Sequence, residues 1–332
     1  MPSEAYLKII ECLDRHVAWI VVCHENPDGD TLGCAMALYS LGVRLGRKVR
    51  LIGKDPLPCR YGFLSYARDY EQVRGLSPEE ACGALVICVD TSTVDRSVPG
   101  LAKALAQCAD TVNIDHHGDN ERYCRLNLVD ASASATAEII ADIMFEGGWG
   151  VTKDEADALY AGLITDNGNF RFRSTTPRSH MCAAKLLEAG TDPAEIDDYV
   201  NENLTASGLK LWGRALSRTE IFAGGKGALF WLREDDFKEA SADASVVDGL
   251  VNMLLRINGV KIAIFLSDPN GVNKASIRTR PPYSAREIAA VFGGGGHVQA
   301  AGAAIQGTFE EALAKIRAEA ERYAVCGIPA SE

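Results

Sequence analysis

The sequence predicts an α/β protein: a mainly parallel, doubly wound sheet followed by a smaller mixed α/β domain, with an active-site cleft expected between them. Three observations carry this reading. Short runs of β-formers alternate with amphipathic helical stretches through residue 192, the pattern of a parallel sheet covered by helices on both faces. Three of those runs end in carboxylates and histidines, at the strand ends where open parallel sheets bind ligands. Beyond residue 192 the pattern becomes polar and helical, and a second set of strands then begins.

Taken in order, residues 17–23 read as a buried strand, 31–45 as a helix and 49–52 as a short strand. A strand over 84–89, a helix over 100–107 and a strand over 111–114 follow. Helices are expected at 133–144, 154–164 and 179–188, the last starting after Pro177 and stopped by Gly190. A helical connector spans 193–217. The second domain, 218–332, offers strands at 228–232, 260–266 and 273–279, and helices at 246–257, 285–291 and 309–323. Asp268-Pro269-Asn270-Gly271 marks a hairpin between its last two strands.

Bulk properties narrow the class. The 332 residues are 47% apolar and 24% charged, enough for a sizeable core in two domains. No apolar run approaches the ~20 residues that span a bilayer, and the N-terminus does not resemble a signal peptide, so a cytoplasmic protein with no membrane partner is expected. Ten cysteines include no CxxC pair and read as buried free thiols filling a core. A net charge of −11 argues against coating long nucleic acid, though not against a short nucleotide held by a few arginines.

The chemistry concentrates at the strand ends. Strand 17–23 runs into His24-Glu25-Asn26-Pro27-Asp28-Gly29-Asp30; strand 84–89 ends in Asp90; strand 111–114 ends in Asp115-His116-His117. A fourth carboxylate, Asp166, follows the helix at 154–164. A lone aspartate after a strand is usually a cap or turn residue, and His16 and His180 read as structural. Three of the six histidines fall in this set, however, and the coincidence at three strand ends points to a site. Imidazoles and carboxylates without thiolate suit Mn²⁺ or Mg²⁺ better than structural zinc. In an extended loop, Asp28 and Asp30 would point the same way.

At these residues the chain resembles the DHH phosphoesterase family, named for the Asp115-His116-His117 triplet. The first motif matches at His24-x-x-Pro27-Asp28-x-Asp30-x-x-Gly33, the others at Asp90 and Asp166. The second half resembles a DHHA1 domain through Gly293-Gly294-Gly295-Gly296-His297, followed by Ala301-Gly302-Ala303. Cys34 and Ala131 depart from the common serine and proline without removing a ligand. The resemblance implies a catalytic DHH domain over 1–192 and a substrate-binding DHHA1 domain over 218–332. It implies two divalent ions, Mn²⁺ first and Mg²⁺ or Co²⁺ as alternatives. One would be held by His24, Asp28 and Asp90, the other by Asp30, Asp90, His116 and Asp166. Asp90 would bridge them, Asp115 would support His116 or the loop from behind, and His117 would contact the phosphate or leaving oxygen. Such an ion pair activates water for in-line attack on phosphorus.

In the second domain, Gly294, Gly295 and Gly296 are expected to offer backbone N–H groups to a phosphate, with His297 as a further donor. Ser276 and Arg278 share one strand face, and Arg278 is expected to grip the nucleotide. Tyr283 and Phe172 are candidate stacking residues. The chain length leaves room for these two domains and no more, which within the family implies a nanoRNase-like enzyme. Its partners would be short RNA oligonucleotides and small nucleotides such as 3′-phosphoadenosine 5′-phosphate; a homodimer is compatible. The alternatives are a cyclic-di-AMP or linear dinucleotide phosphodiesterase, and a catalytically dead nucleotide- or RNA-binding protein.

Overall fold

The computed structural model describes residues 4–242, 244–247 and 249–326. The chain divides into two compact units, one ending at Asn203 and the other beginning at Leu204. In the first, six parallel strands run β1 (Ala18–Val22), β2 (Lys48–Gly53), β3 (Tyr70–Gln72), β4 (Leu85–Val89), β5 (Asp110–Asp115) and β6 (Leu126–Val129). They lie in the order β3-β2-β1-β4-β5-β6, so the winding reverses between β1 and β4. Alternation along β1 explains the two helical layers. Trp19, Val21 and Cys23 join the core under α2 (Gly29–Arg44), α5 (Thr136–Glu146), α6 (Lys153–Asp166) and α7 (Pro177–Glu188), with α1 (Glu4–Arg15) beside them. Ile20 and Val22 face the smaller core under α3 (Pro78–Ala81) and α4 (Leu101–Gln107).

The 193–217 segment carries two helices. α8 (Pro193–Val200) packs on α6, and α9 (Ala206–Ser217) packs on the second unit. That unit has strands β7 (Glu220–Phe222), β8 (Gly227–Leu232), β9 (Ile262–Ser267), β10 (Lys274–Thr279), β11 (Gly295–Gly296) and β12 (Ala300–Ala304), ordered β11-β12-β10-β9-β8-β7. All its pairs are antiparallel except β8–β9, and the expected β9–β10 hairpin is present. One face is covered by α11 (Ala285–Ala290) and α12 (Phe309–Cys326). The other is covered by α9, α10 (Glu234–Ala240) and 3-10 turns.

Several expectations are corrected. The helix expected at 246–257 is instead two 3-10 segments, Ala244–Val247 and Leu250–Arg256, because Gly249 takes the left-handed region with φ 78°. α2 starts at Gly29 rather than residue 31, and α6 runs on to include Asp166. Cys59 and Cys82 are exposed, so the thiols are not all core filler. His16 and His180 are structural: His16 Nδ1 lies 2.8 Å from the Cys12 carbonyl and His180 stacks on Phe170. Among the described residues no helix is long and apolar enough to cross a membrane.

Two glycines let α2 and α6 approach closely, Gly29 against a side chain and Gly33 against the backbone. A Cβ on Gly29 would stand 2.5 Å from Thr165 Oγ1, and one on Gly33 would stand 2.1 Å from the Ala158 carbonyl. The glycine of the first motif is therefore a packing residue. Gly33→Ala forces the helices apart and should destabilise the first unit by ~1–3 kcal/mol. Urea denaturation followed by circular dichroism measures this, and an unchanged midpoint would refute the close-packing account.

Candidate metal centre

The side chains singled out in the first unit converge at the carboxyl edge of its sheet. His24 follows β1 and Asp90 follows β4, so they flank the point where the strand order reverses, the usual ligand crevice of such sheets. Asp90 bends the chain sharply there, with φ 54°, a region that aspartate tolerates better than most residues. Asp115 is the last residue of β5, and His116 and His117 come next. The ends of two helices complete the set. Asp28 is the N-cap of α2, Asp30 lies in its first turn, and Asp166 closes α6.

Three groups form, each with its candidate ligand atoms within 4.8 Å of one another: His24, Asp28 and Asp90; Asp30, His116 and Asp166; and Asp90, His116 and His117. His24 Nε2 lies 3.6 Å from Asp28 Oδ1 and 3.4 Å from Asp90 Oδ2. His116 Nε2 lies 3.0 Å from Asp166 Oδ2 and 3.6 Å from Asp90 Oδ1. Asp90 thus offers one oxygen to each side. Asp28 and Asp30 do not share an extended loop, as the sequence suggested. Because helix geometry begins at Gly29, they fall into different groups.

The rings are turned by their other nitrogens. His24 Nδ1 is 2.6 Å from the Glu25 carbonyl and His116 Nδ1 is 3.4 Å from the Ala133 carbonyl. A carbonyl only accepts, so each Nδ1 carries the proton and each Nε2 faces the carboxylates. Asp30, fully buried, is fixed by the N-terminus of α5, accepting from the Thr136 amide at 2.6 Å and the Ala137 amide at 2.9 Å. The Thr136 hydroxyl donates to Asp90 Oδ1 at 2.9 Å. Asp115 lies behind the cluster. Its Oδ1 accepts from the amides of His116 and His117 and lies 2.7 Å from His117 Nδ1. Its side-chain partner is therefore His117 rather than His116.

In the second unit, Ser276 and Arg278 share one face of β10, opposite Gly302 and Ala300 of β12. The glycine run has another local task than the one expected. The amides of Gly293 and Gly294 donate to Ala290 and Ala289 at the end of α11, and His297 N donates to Ala300. Gly295 and Gly296 pair with Gly302 and Ala301. A Cβ on Gly294 would stand 2.2 Å from the Gly302 carbonyl, so close backbone approach accounts for glycine there. Tyr283 is buried with its hydroxyl on the Ala324 carbonyl, which removes it as a stacking residue; Phe172 is 48% exposed.

Comparison with known proteins agrees with this geometry. Residues 18–163 match the model of the DHH family, N-terminal domain, and residues 226–325 match that of the DHHA1 domain. The bifunctional oligoribonuclease and PAP phosphatase NrnA of Thermus thermophilus is 33% identical over 308 residues, covering 91% of this chain and 90% of the relative. The chain belongs to the DHH family. A second relative, the Bacillus subtilis protein of the same name, is 27% identical over 90% of this chain and 92% of its own length. The crystal structure of an exopolyphosphatase-related protein from Bacteroides fragilis superposes with a TM-score of 0.91 at 25% identity, covering 97% of each chain. RecJ from Thermus thermophilus, solved with Mn²⁺, shares the fold at 15% identity with a TM-score of 0.57, covering 99% of this chain and 56% of its own.

The residues of this DHH-family chain fit divalent cations. His116 Nε2 is buried and makes no hydrogen bond among the described residues, although Asp166 Oδ2 is near; the two meet out of line, as ligands of a shared ion do. Protons balance the cluster by themselves. Burial would lower the pKa of His24 and His116, but their aspartate neighbours outweigh it and raise both. Burial, with Asp90 and Asp166 adding repulsion, lifts Asp30 well above the carboxylate range. Cations would displace those protons. Cys34 stays a thiol, its pKa raised by burial and by Asp30, and donates to Asp30 at 3.4 Å as a serine would.

Sequence reasoning missed Thr136 and Asn120. Thr136 joins Asp30 to Asp90, and its signal is a fully buried hydroxyl at a helix start. Thr136→Val keeps the shape and the amide but loses the bond to Asp90. It should weaken Mn²⁺ binding by about ten- to a hundredfold with the fold intact. Calorimetric titration checks this, and wild-type affinity would show that Thr136 does not orient Asp90.

Proposed function

We propose that the chain is a phosphoesterase dependent on two divalent ions, Mn²⁺ first among them, that hydrolyses short oligoribonucleotides and 3′-phosphoadenosine 5′-phosphate. The observation that carries this reading is the gathering of three histidines and four aspartates, Asp90 among them, at the switch point. It is supported by full-length similarity to relatives named as oligoribonucleases and PAP phosphatases.

When bound, the ions supply a readied water and offset phosphoryl charge. The chain's own groups do the positioning. His24, Asp28 and Asp90 form one ligand set, and Asp30, Asp90, His116 and Asp166 the other. The carbonyls of Glu25 and Ala133 fix the imidazoles, and the α5 amides fix Asp30. His117 is committed to Asp115 through Nδ1, so the ring reaches a phosphate or leaving oxygen through Nε2. In the second unit, Arg278 and Ser276 hold the nucleotide, with His297 as a further donor.

Chelation should abolish turnover of a dinucleotide and of 3′-phosphoadenosine 5′-phosphate, and Mn²⁺ should restore it; full activity in excess chelator would overturn the metal dependence. Asp90→Ala should remove activity and lower the metal content measured by elemental analysis, whereas Asp115→Ala keeps its metal. Arg278→Ala should reduce kcat/KM on these substrates by roughly ten- to a hundredfold, the scale of one charge-assisted phosphate contact. Unchanged kcat/KM would remove Arg278 from substrate binding.

A further inference from the structure

His117 is held by a carboxylate that itself needs holding. Asp115 is fully buried, and its Oδ1 is saturated by two backbone amides and the His117 ring. Its other oxygen accepts from Asn120 Nδ2 at 2.5 Å. The same amide group lies 2.7 Å from Asn113 Oδ1 and 3.1 Å from the Thr91 carbonyl. Asn113, also fully buried, points its own amide at the carbonyls of Cys88 and Thr91. The Tyr123 hydroxyl donates to Thr91 as well. These bonds clamp the chain leaving β4, one residue beyond Asp90, to the chain leaving β5.

We propose that Asn120 is a positioning residue that fixes the Asp115 carboxylate, and through it the orientation of the His117 ring relative to Asp90. The inference rests on the phosphoesterase reading for its kinetic test but not for its spectroscopic one. A buried carboxylate deprived of a donor rotates to find another. Since Asp115 grips His117 through the oxygen opposite the Asn120 contact, such a rotation carries the ring with it. The Nδ2 contacts of Asn120 with Asn113 and Thr91 belong to the same donor group, whereas accepting the Arg122 amide at 2.7 Å belongs to the local turn and does not need a donor.

That difference sets the experiment. Asn120→Asp keeps the shape and the acceptor for Arg122 but replaces the donor facing Asp115 with a carboxylate; Asn120→Ala removes both. Both variants should lower kcat on a dinucleotide by about ten- to a hundredfold, with KM and metal content near wild type. In a His117→Ala background, Asn120→Ala should cost nothing further, because the group it positions is gone. Proton–nitrogen NMR on the metal-free protein reads the same link without turnover: the His117 Nδ1 proton, downfield in wild type, should shift or broaden in Asn120→Asp. Losses that multiply in the double variant, or an Nδ1 resonance unmoved by Asn120→Asp, would overturn the proposal. If no substrate is turned over by wild type, the phosphoesterase reading falls, and the NMR comparison alone decides the role of Asn120.

Discussion

Asp30 and Asp90 are almost wholly withdrawn from water, and Asp28 and Asp166 close in beside them. Like charges gathered in so small a volume repel strongly, and the first unit is arranged around that repulsion. Backbone amides at the start of α5 hold Asp30, the Thr136 hydroxyl holds Asp90, and imidazoles turned by carbonyls face both. Few local segments could supply so many donors at one place. A parallel sheet does so where its winding reverses, because helix N-termini and strand carboxyl ends meet there. The same arrangement suits cations, since the charge that the fold tolerates with protons would be better met by ions.

Much of this was legible in the amino-acid order. Strands such as 85–89, buried on both faces, read as continuous β-formers, and motif residues at their ends needed no tertiary information to be noticed. The failures have physical causes. Asp28 and Asp30 look like neighbours in a loop, but Asp28 caps a helix that starts immediately after it, and one step of helical rotation sends the two carboxylates to different groups. Asp166 looks like a loop residue because Asn167 and Gly168 follow it; in fact the α6 backbone pairs one residue further. Thr136 and Asn120 escape a reading of the amino-acid order because their importance comes from partners 46 and 5 residues away in the chain.

In the second unit the glycine run has a local role that its composition alone does not announce. The run invites a phosphate-binding reading, yet the Gly293 and Gly294 amides close α11 and the next two glycines form a short ladder with β12. The absence of side chains there serves close backbone approach. Ser276 and Arg278 keep their shared face because alternation along a strand survives any change in its surroundings.

The glycine contacts between α2 and α6 reach further than packing. Asp30 stands in the first turn of one helix and Asp166 ends the other, while Gly33 meets the Ala158 carbonyl of the opposite backbone and Gly29 leaves room for the Thr165 side chain. Gly162 adds to this, since a Cβ there would come within 3.0 Å of Asp30 Oδ1. The separation of the two carboxylates is therefore tied to the spacing of the helices that carry them. For a cation held between them, the fit to ionic radius would then depend on helix spacing, which can be retuned at three glycine positions without altering any proposed coordinating residue.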